Sequence, residues 1–102
     1  MKLGHYIKLL EQANPDKIVA NGLGKPNSWR GRYSELMFEP IGETTVAFML
    51  KEAKKAVGAT YTGWKGGEFT MGLETEIHVE SSPGSYSDNE MLWKLLLELM
   101  LA

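Results

Sequence analysis

Ser28-Trp29-Arg30-Gly31 and Gly63-Trp64-Lys65-Gly66 share one order of residue types: a small residue, a tryptophan, a cation and a glycine. Together they hold two of the chain's three tryptophans. An indole offers a flat face for stacking, Arg or Lys offers positive charge, and glycine lets a ligand approach the backbone. That combination suits an anion carrying a ring, such as a nucleotide. Arg30 can grip a phosphate through two parallel hydrogen bonds, a geometry that Lys65 lacks. The candidate ligand-binding residues in the first copy are Ser28, Trp29, Arg30 and nearby Tyr33. In the second they are Trp64, Lys65, Gly66 and Gly67.

Each copy also has a purely structural reading. Residues 21–33 are rich in Gly, Pro, Asn and Ser and read as a long loop holding Lys25, Arg30 and Arg32. This is not a phosphate loop of the Gly-Lys-Ser/Thr kind, because Lys25 is followed by Pro26. The loop either binds something, as long loops in small domains tend to, or lies on the surface. In the second case Trp29 packs at the core edge and Arg30 pairs with Glu35 or Glu39. Gly63 to Gly67 is either a hairpin tip that presents Lys65 to an anion, or an ordinary tip whose turn needs glycine.

Other chemistry finds little support. With no cysteine there is no thiol nucleophile, disulfide or Cys-ligated metal. Glu76, His78 and Glu80 share one strand face, a spacing that admits a metal but reads more simply as a solvated acidic face. Glu35, Glu39 and Glu68 are general-base candidates only if the fold brings them beside the basic loop. No catalytic residue, metal or cofactor is assigned.

These residues must be positioned by a chain of 102 residues, one domain in length, with 43% hydrophobic and 24% charged residues. The net charge of −2 gives no global pull toward nucleic acid or anionic membrane, so any anion site must arise from local clustering of cations. Apolar periodicity predicts a helix over 3–13, stopped by Asn14-Pro15-Asp16, then a short strand over 17–20. A strand over 34–39 ends at Pro40. Thr45 caps a helix over 46–57, whose apolar stripe is Val46, Met49, Leu50, Ala53 and Val57, and Gly58 stops it. Residues 60–64 and 68–71 form a hairpin. In a strand over 74–80, Thr75, Ile77 and Val79 face one way and Glu74, Glu76, His78 and Glu80 face solvent. Ser87 and Glu90 match a capping box for a final helix over 88–101. The fold class is α+β, a mostly antiparallel sheet of four or five short strands packed with three helices in a single domain, 1–102.

The last helix is apolar on nearly every side, with only Lys94 and Glu98 to break it. Either it is a central core helix, or part of it meets a second copy, making Met91–Ala102 an oligomer interface. It is too short to span a bilayer, and the amino terminus lacks the apolar run of a secretory signal, so no membrane partner and a cytoplasmic setting are expected.

The run Ser28-Trp29-Arg30-Gly31-Arg32-Tyr33 leading into Phe38-Glu39-Pro40, continued by Thr45 to Gly58 and by Gly63-Trp64-Lys65-Gly66-Gly67, resembles a family of small accessory proteins of tailed phages and prophages. The resemblance covers roughly residues 3–80. It implies a phage-encoded protein acting inside an infected bacterium. Such proteins often counter host defence by sequestering a nucleotide signal or by blocking a defence protein.

Three functions follow as expectations. The first is capture of a nucleotide-like anion without turnover, by a homo-oligomer with anti-defence purpose. The second is inhibition of a host defence protein through a direct interface, with Glu74, Glu76 and Glu80 as a thin mimic of nucleic-acid charge. The third is a small enzyme acting on a nucleotide or sugar phosphate. Nucleic-acid binding is not expected, because no helix carries a basic recognition face.

Overall fold

The computed structural model describes residues 1–80 and 89–100. Among the described residues, three helices and five strands make an α+β domain: α1 (Leu3–Gln12), β1 (Ile18–Trp29), β2 (Arg32–Thr45), α2 (Val46–Ala56), β3 (Thr60–Thr62), β4 (Glu68–Thr70), β5 (Ile77–Val79) and α3 (Asn89–Met100). The strands form two sheets, one in the order β1-β2-β5 and one a β3–β4 hairpin. Pairing is antiparallel except between β2 and β5, which run parallel, with Met37 opposite His78.

The largest departure from expectation is the stretch 21–33. It is no loop. Residues 18–29 form a strand that pairs along most of its length with β2, and β2 itself runs on past Pro40 to Thr45. Glycine makes this possible rather than preventing it. A Cβ on Gly22 would come within 2.3 Å of the Thr44 side chain and 2.8 Å of the Gly42 carbonyl oxygen, so only glycine allows the strands this approach. Lys25 takes a left-handed φ of 48°, and the register slips between Gly24 and Asn27. The Gly-Pro-Asn signals therefore mark bulges in a long hairpin, not a loop.

α2 forms for the reasons expected. The Thr45 hydroxyl accepts from the Phe48 amide at 3.2 Å, and Gly58, at φ 78°, follows the helix end. Ala56 is buried in the last turn, whereas Val57 is 39% exposed. α1 buries Leu3, Tyr6, Ile7 and Leu10. Its first-turn amides at Leu3 and Gly4 donate to the carbonyls of Thr75 and Leu73, both at 2.8 Å, which satisfies a helix end that has no side-chain cap.

The helices share one core with Leu23, Leu36, Phe38, Ile77 and Val79 of the three-stranded sheet. Period two then turns Glu35, Glu39, His78 and Glu80 to the sheet's other face. α3 buries Leu92, Leu95 and Leu96 but leaves Trp93, Leu97 and Met100 between 59% and 80% exposed. The helix is thus a core element on one side and an uncovered apolar stripe on the other. Its Glu98 carboxylate accepts from the backbone amides of Ala20 and Asn21 at 3.1 and 3.4 Å and from the Asn21 side chain at 3.0 Å, pinning α3 to the edge of β1. The capping box expected at Ser87 lies outside the described residues. Among the described residues, no helix is long and apolar enough to cross a membrane.

Candidate functional site

Both Trp-cation motifs sit at hairpin tips. In the first, Trp29 pairs with Arg32, so Arg30 and Gly31 make the reversal between β1 and β2. In the second, the Gly63 amide donates to the Gly67 carbonyl and the Gly66 amide to the Gly63 carbonyl, both at 3.0 Å, closing the turn between β3 and β4. Gly66 and Gly67 take φ of 88° and 81°, a region that L-residues with side chains avoid. Their need is met by the turn itself, so the ordinary hairpin reading explains both glycines.

The two tips meet. The Arg30 guanidinium carbon lies 4.3 Å from the centroid of the Trp64 ring, a cation–π stack joining one tip to the other. Tyr33 and Phe69 support the junction from behind, with ring centroids 6.0 Å apart and planes at 54°. Gly63 fits between them: a Cβ there would come within 2.9 Å of the Phe69 ring and 3.2 Å of the Tyr33 ring. Trp64 remains 64% exposed even with Arg30 over its ring.

Charge at the tips is unevenly spent. Arg32 lies 3.6 Å from Glu35, and Lys25 lies 3.8 Å from Glu39. The carboxylates that a structural reading reserved for Arg30 are thus taken by its neighbours. Arg30 and Lys65 are exposed and, among the described residues, have no carboxylate partner. They can accept the charge of an anion without first breaking an ion pair.

Not every expected residue joins them. The Ser28 side chain is buried and its hydroxyl donates to the Tyr33 carbonyl at 2.6 Å, bracing the hairpin across its own strands. Trp29 turns the other way and stacks on His78, with ring centroids 3.7 Å apart and planes at 21°. Its indole N–H is buried and has no hydrogen-bond partner. Stacking and packing alone hold this ring, and the face it gives to His78 is closed to a ligand.

His78 does not stand in a solvated acidic face. Its Nε2 lies 2.6 Å from Glu35 Oε1, and both side chains are less than a fifth exposed, 18% and 19%. A chain of contacts therefore runs from Trp29 through His78 and Glu35 to Arg32. Sequence reasoning missed it, because the parallel pairing of β5 on β2 carries no local signal. Only the period-two placement of Glu35 and His78 on outward faces was available.

Among the described residues, no group of three or more His, Asp or Glu side chains is arranged to hold a metal ion. Glu76 instead meets the Met1 amino group at 3.0 Å, and that hydrogen bond holds its carboxyl below the ordinary range. Glu80 lies beside Glu39. Burial first, and the neighbouring carboxylate second, push its pKa above the ordinary value.

No family model, curated protein or solved structure matches this chain. The site is therefore read from its own geometry.

Elsewhere, α1 and α3 border an apolar groove of about 350 Å³. Leu9, Ala13, Leu96 and Leu99 line it beside the exposed Trp93 and Met100. It shares no residue with the hairpin tips.

Proposed function

We propose that the protein binds a nucleotide-like anion at its two hairpin tips and holds it without turnover. The observation that carries this reading is the Arg30–Trp64 stack between two motifs distant in sequence, with no carboxylate on Arg30 among the described residues. A guanidinium laid on an indole keeps its N–H edge free for two parallel hydrogen bonds to a phosphate. Lys65, the next residue along, adds a second cation, and the open surface of Trp64 accepts a ring. The resemblance to phage accessory proteins gives this capture its setting: sequestering a nucleotide signal of host defence inside the infected bacterium.

A panel of linear and cyclic nucleotides in a thermal-shift assay tests this directly. At least one should raise the melting temperature, and Arg30→Ala combined with Lys65→Ala should abolish that rise while the unliganded protein still melts in one cooperative transition. A panel with no shift contradicts the proposal.

A second reading, direct contact with another protein, draws on a different observation. Trp93, Leu97 and Met100 are exposed along one stripe of α3 beside the apolar groove. The proposed partner for that stripe is a second copy of the chain, and a host defence protein is the alternative. Sedimentation equilibrium of the wild type and of Leu97→Glu distinguishes them: self-association that the substitution removes supports the oligomer, and a monomeric wild type argues against it.

A further inference from the structure

At the two hairpin tips an exposed ring, Trp64, accompanies two cations, Arg30 and Lys65, that have no carboxylate partner among the described residues. Trp29 offers nothing for stacking on its His78 side, because the imidazole centroid is 3.7 Å away. Tyr33 is engaged with Phe69. Trp64 has one face under the Arg30 guanidinium, at 4.3 Å, and is otherwise 64% exposed. Trp29 and Tyr33 are only partly exposed, so Trp64 is the one exposed ring among the three, enough for one base.

The cations divide in the same way. Arg32 and Lys25 face Glu35 and Glu39 at 3.6 and 3.8 Å, which leaves Arg30 on one tip and Lys65 on the other among the described residues. They also differ in kind. A planar guanidinium already stacked on a ring is preorganised to take one phosphate by two hydrogen bonds, and a Lys ammonium is a mobile point charge suited to a second group. A lone phosphate is satisfied by Arg30 and leaves Lys65 idle. Two linked phosphates offer each cation a group of its own.

We infer that the ligand is a mononucleotide bearing two or more linked phosphates: one base on the open face of Trp64, one phosphate on Arg30 and a further one on Lys65. This rests on the anion-binding reading above and narrows it. It sets the site apart from one for dinucleotides, which require two ring faces, and from one for sugar phosphates, which require none.

Isothermal titration with ADP, AMP, inorganic pyrophosphate and the dinucleotide ApA tests it. ADP should bind at least about tenfold more tightly than AMP and than pyrophosphate, and more tightly than ApA. Lys65→Ala, and independently Lys65→Gln, should bring ADP down to the level of AMP; both change an exposed side chain and leave the fold in place. Equal binding of ADP and AMP overturns the two-cation assignment. Pyrophosphate as tight as ADP overturns the role of the ring, and ApA tighter than ADP overturns the single base. If anions bind but in any of these wrong orders, only the narrower inference fails. If none of the four binds but another nucleotide of the thermal-shift panel does, again only the narrower inference fails; if nothing in either set binds, anion capture at the tips fails with it.

Discussion

Arg30 and Trp64 come from different hairpins, and the Arg30 guanidinium carbon lies over the Trp64 ring, 4.3 Å from its centroid. Neither hairpin contributes a complete site. The first supplies a cation that has lost its carboxylate neighbours to Arg32 and Lys25, and the second supplies an indole held out into solvent by a glycine turn. Convergence of the two motifs makes an exposed tryptophan one half of a cation–π pair.

The stack predicts measurable coupling. In a double-mutant cycle of Arg30→Ala and Trp64→Ala, urea unfolding should give an interaction of about 0.5–1 kcal/mol, the range for exposed cation–π pairs. Strict additivity of the two substitutions contradicts the contact.

His78 holds Trp29 through its ring face and Glu35 through Nε2. His78→Ala should destabilise the fold by about 1–3 kcal/mol, because it removes a stacking partner and leaves a half-buried carboxylate without its closest hydrogen-bond partner. His78→Phe keeps the stack, so it should lose less. The same unfolding experiment reads both, and equal losses would assign the whole effect to the hydrogen bond.

The Glu39–Glu80 neighbourhood predicts a pH trend. The Glu80 carboxyl keeps its proton to a higher pH in the folded chain than in the unfolded one, chiefly through burial and then through Glu39. Folding therefore takes up protons in the window above the ordinary carboxylate value, about 4.3, and stability falls as pH rises through it. Glu80→Gln should flatten that fall and raise the urea midpoint at neutral pH. An unchanged pH profile in this variant contradicts the assignment.

Glu98 predicts where α3 is anchored. Its carboxylate takes the amides of Ala20 and Asn21 from the edge of β1. Glu98→Ala should speed hydrogen exchange at those two amides well beyond the change at Leu36 in the sheet centre, and should cost about 1–3 kcal/mol through the charge-assisted hydrogen bonds lost. Uniform acceleration across the sheet would mean that α3 is not fastened there.

Much of this architecture is legible in the chain, and the exceptions are instructive. The α2 stripe and its Thr45 cap are local signals, and the structure repeats them almost residue for residue. The same holds for the Gly66-Gly67 turn. β1 is illegible because its glycines serve close strand approach at Thr44 rather than a loop, and local composition cannot tell the two apart. The site divides along the same line. Arg30 and Trp64 are conspicuous as motif members, yet which cation keeps its freedom depends on Glu35 and Glu39, whose partners are set by register. His78 appears solvated until parallel pairing with β2 puts it beside Glu35.

The most direct test is an NMR titration of isotopically labelled protein with ADP, following the Arg30 side-chain Nε–H and the indole N–H signals of Trp64 and Trp29. If the two tips form one site, Arg30 and Trp64 shift together along a single binding curve while Trp29, shielded against His78, stays in place. Arg30 and Trp64 signals that stay fixed at saturating ADP, or that follow separate curves, would contradict a shared site.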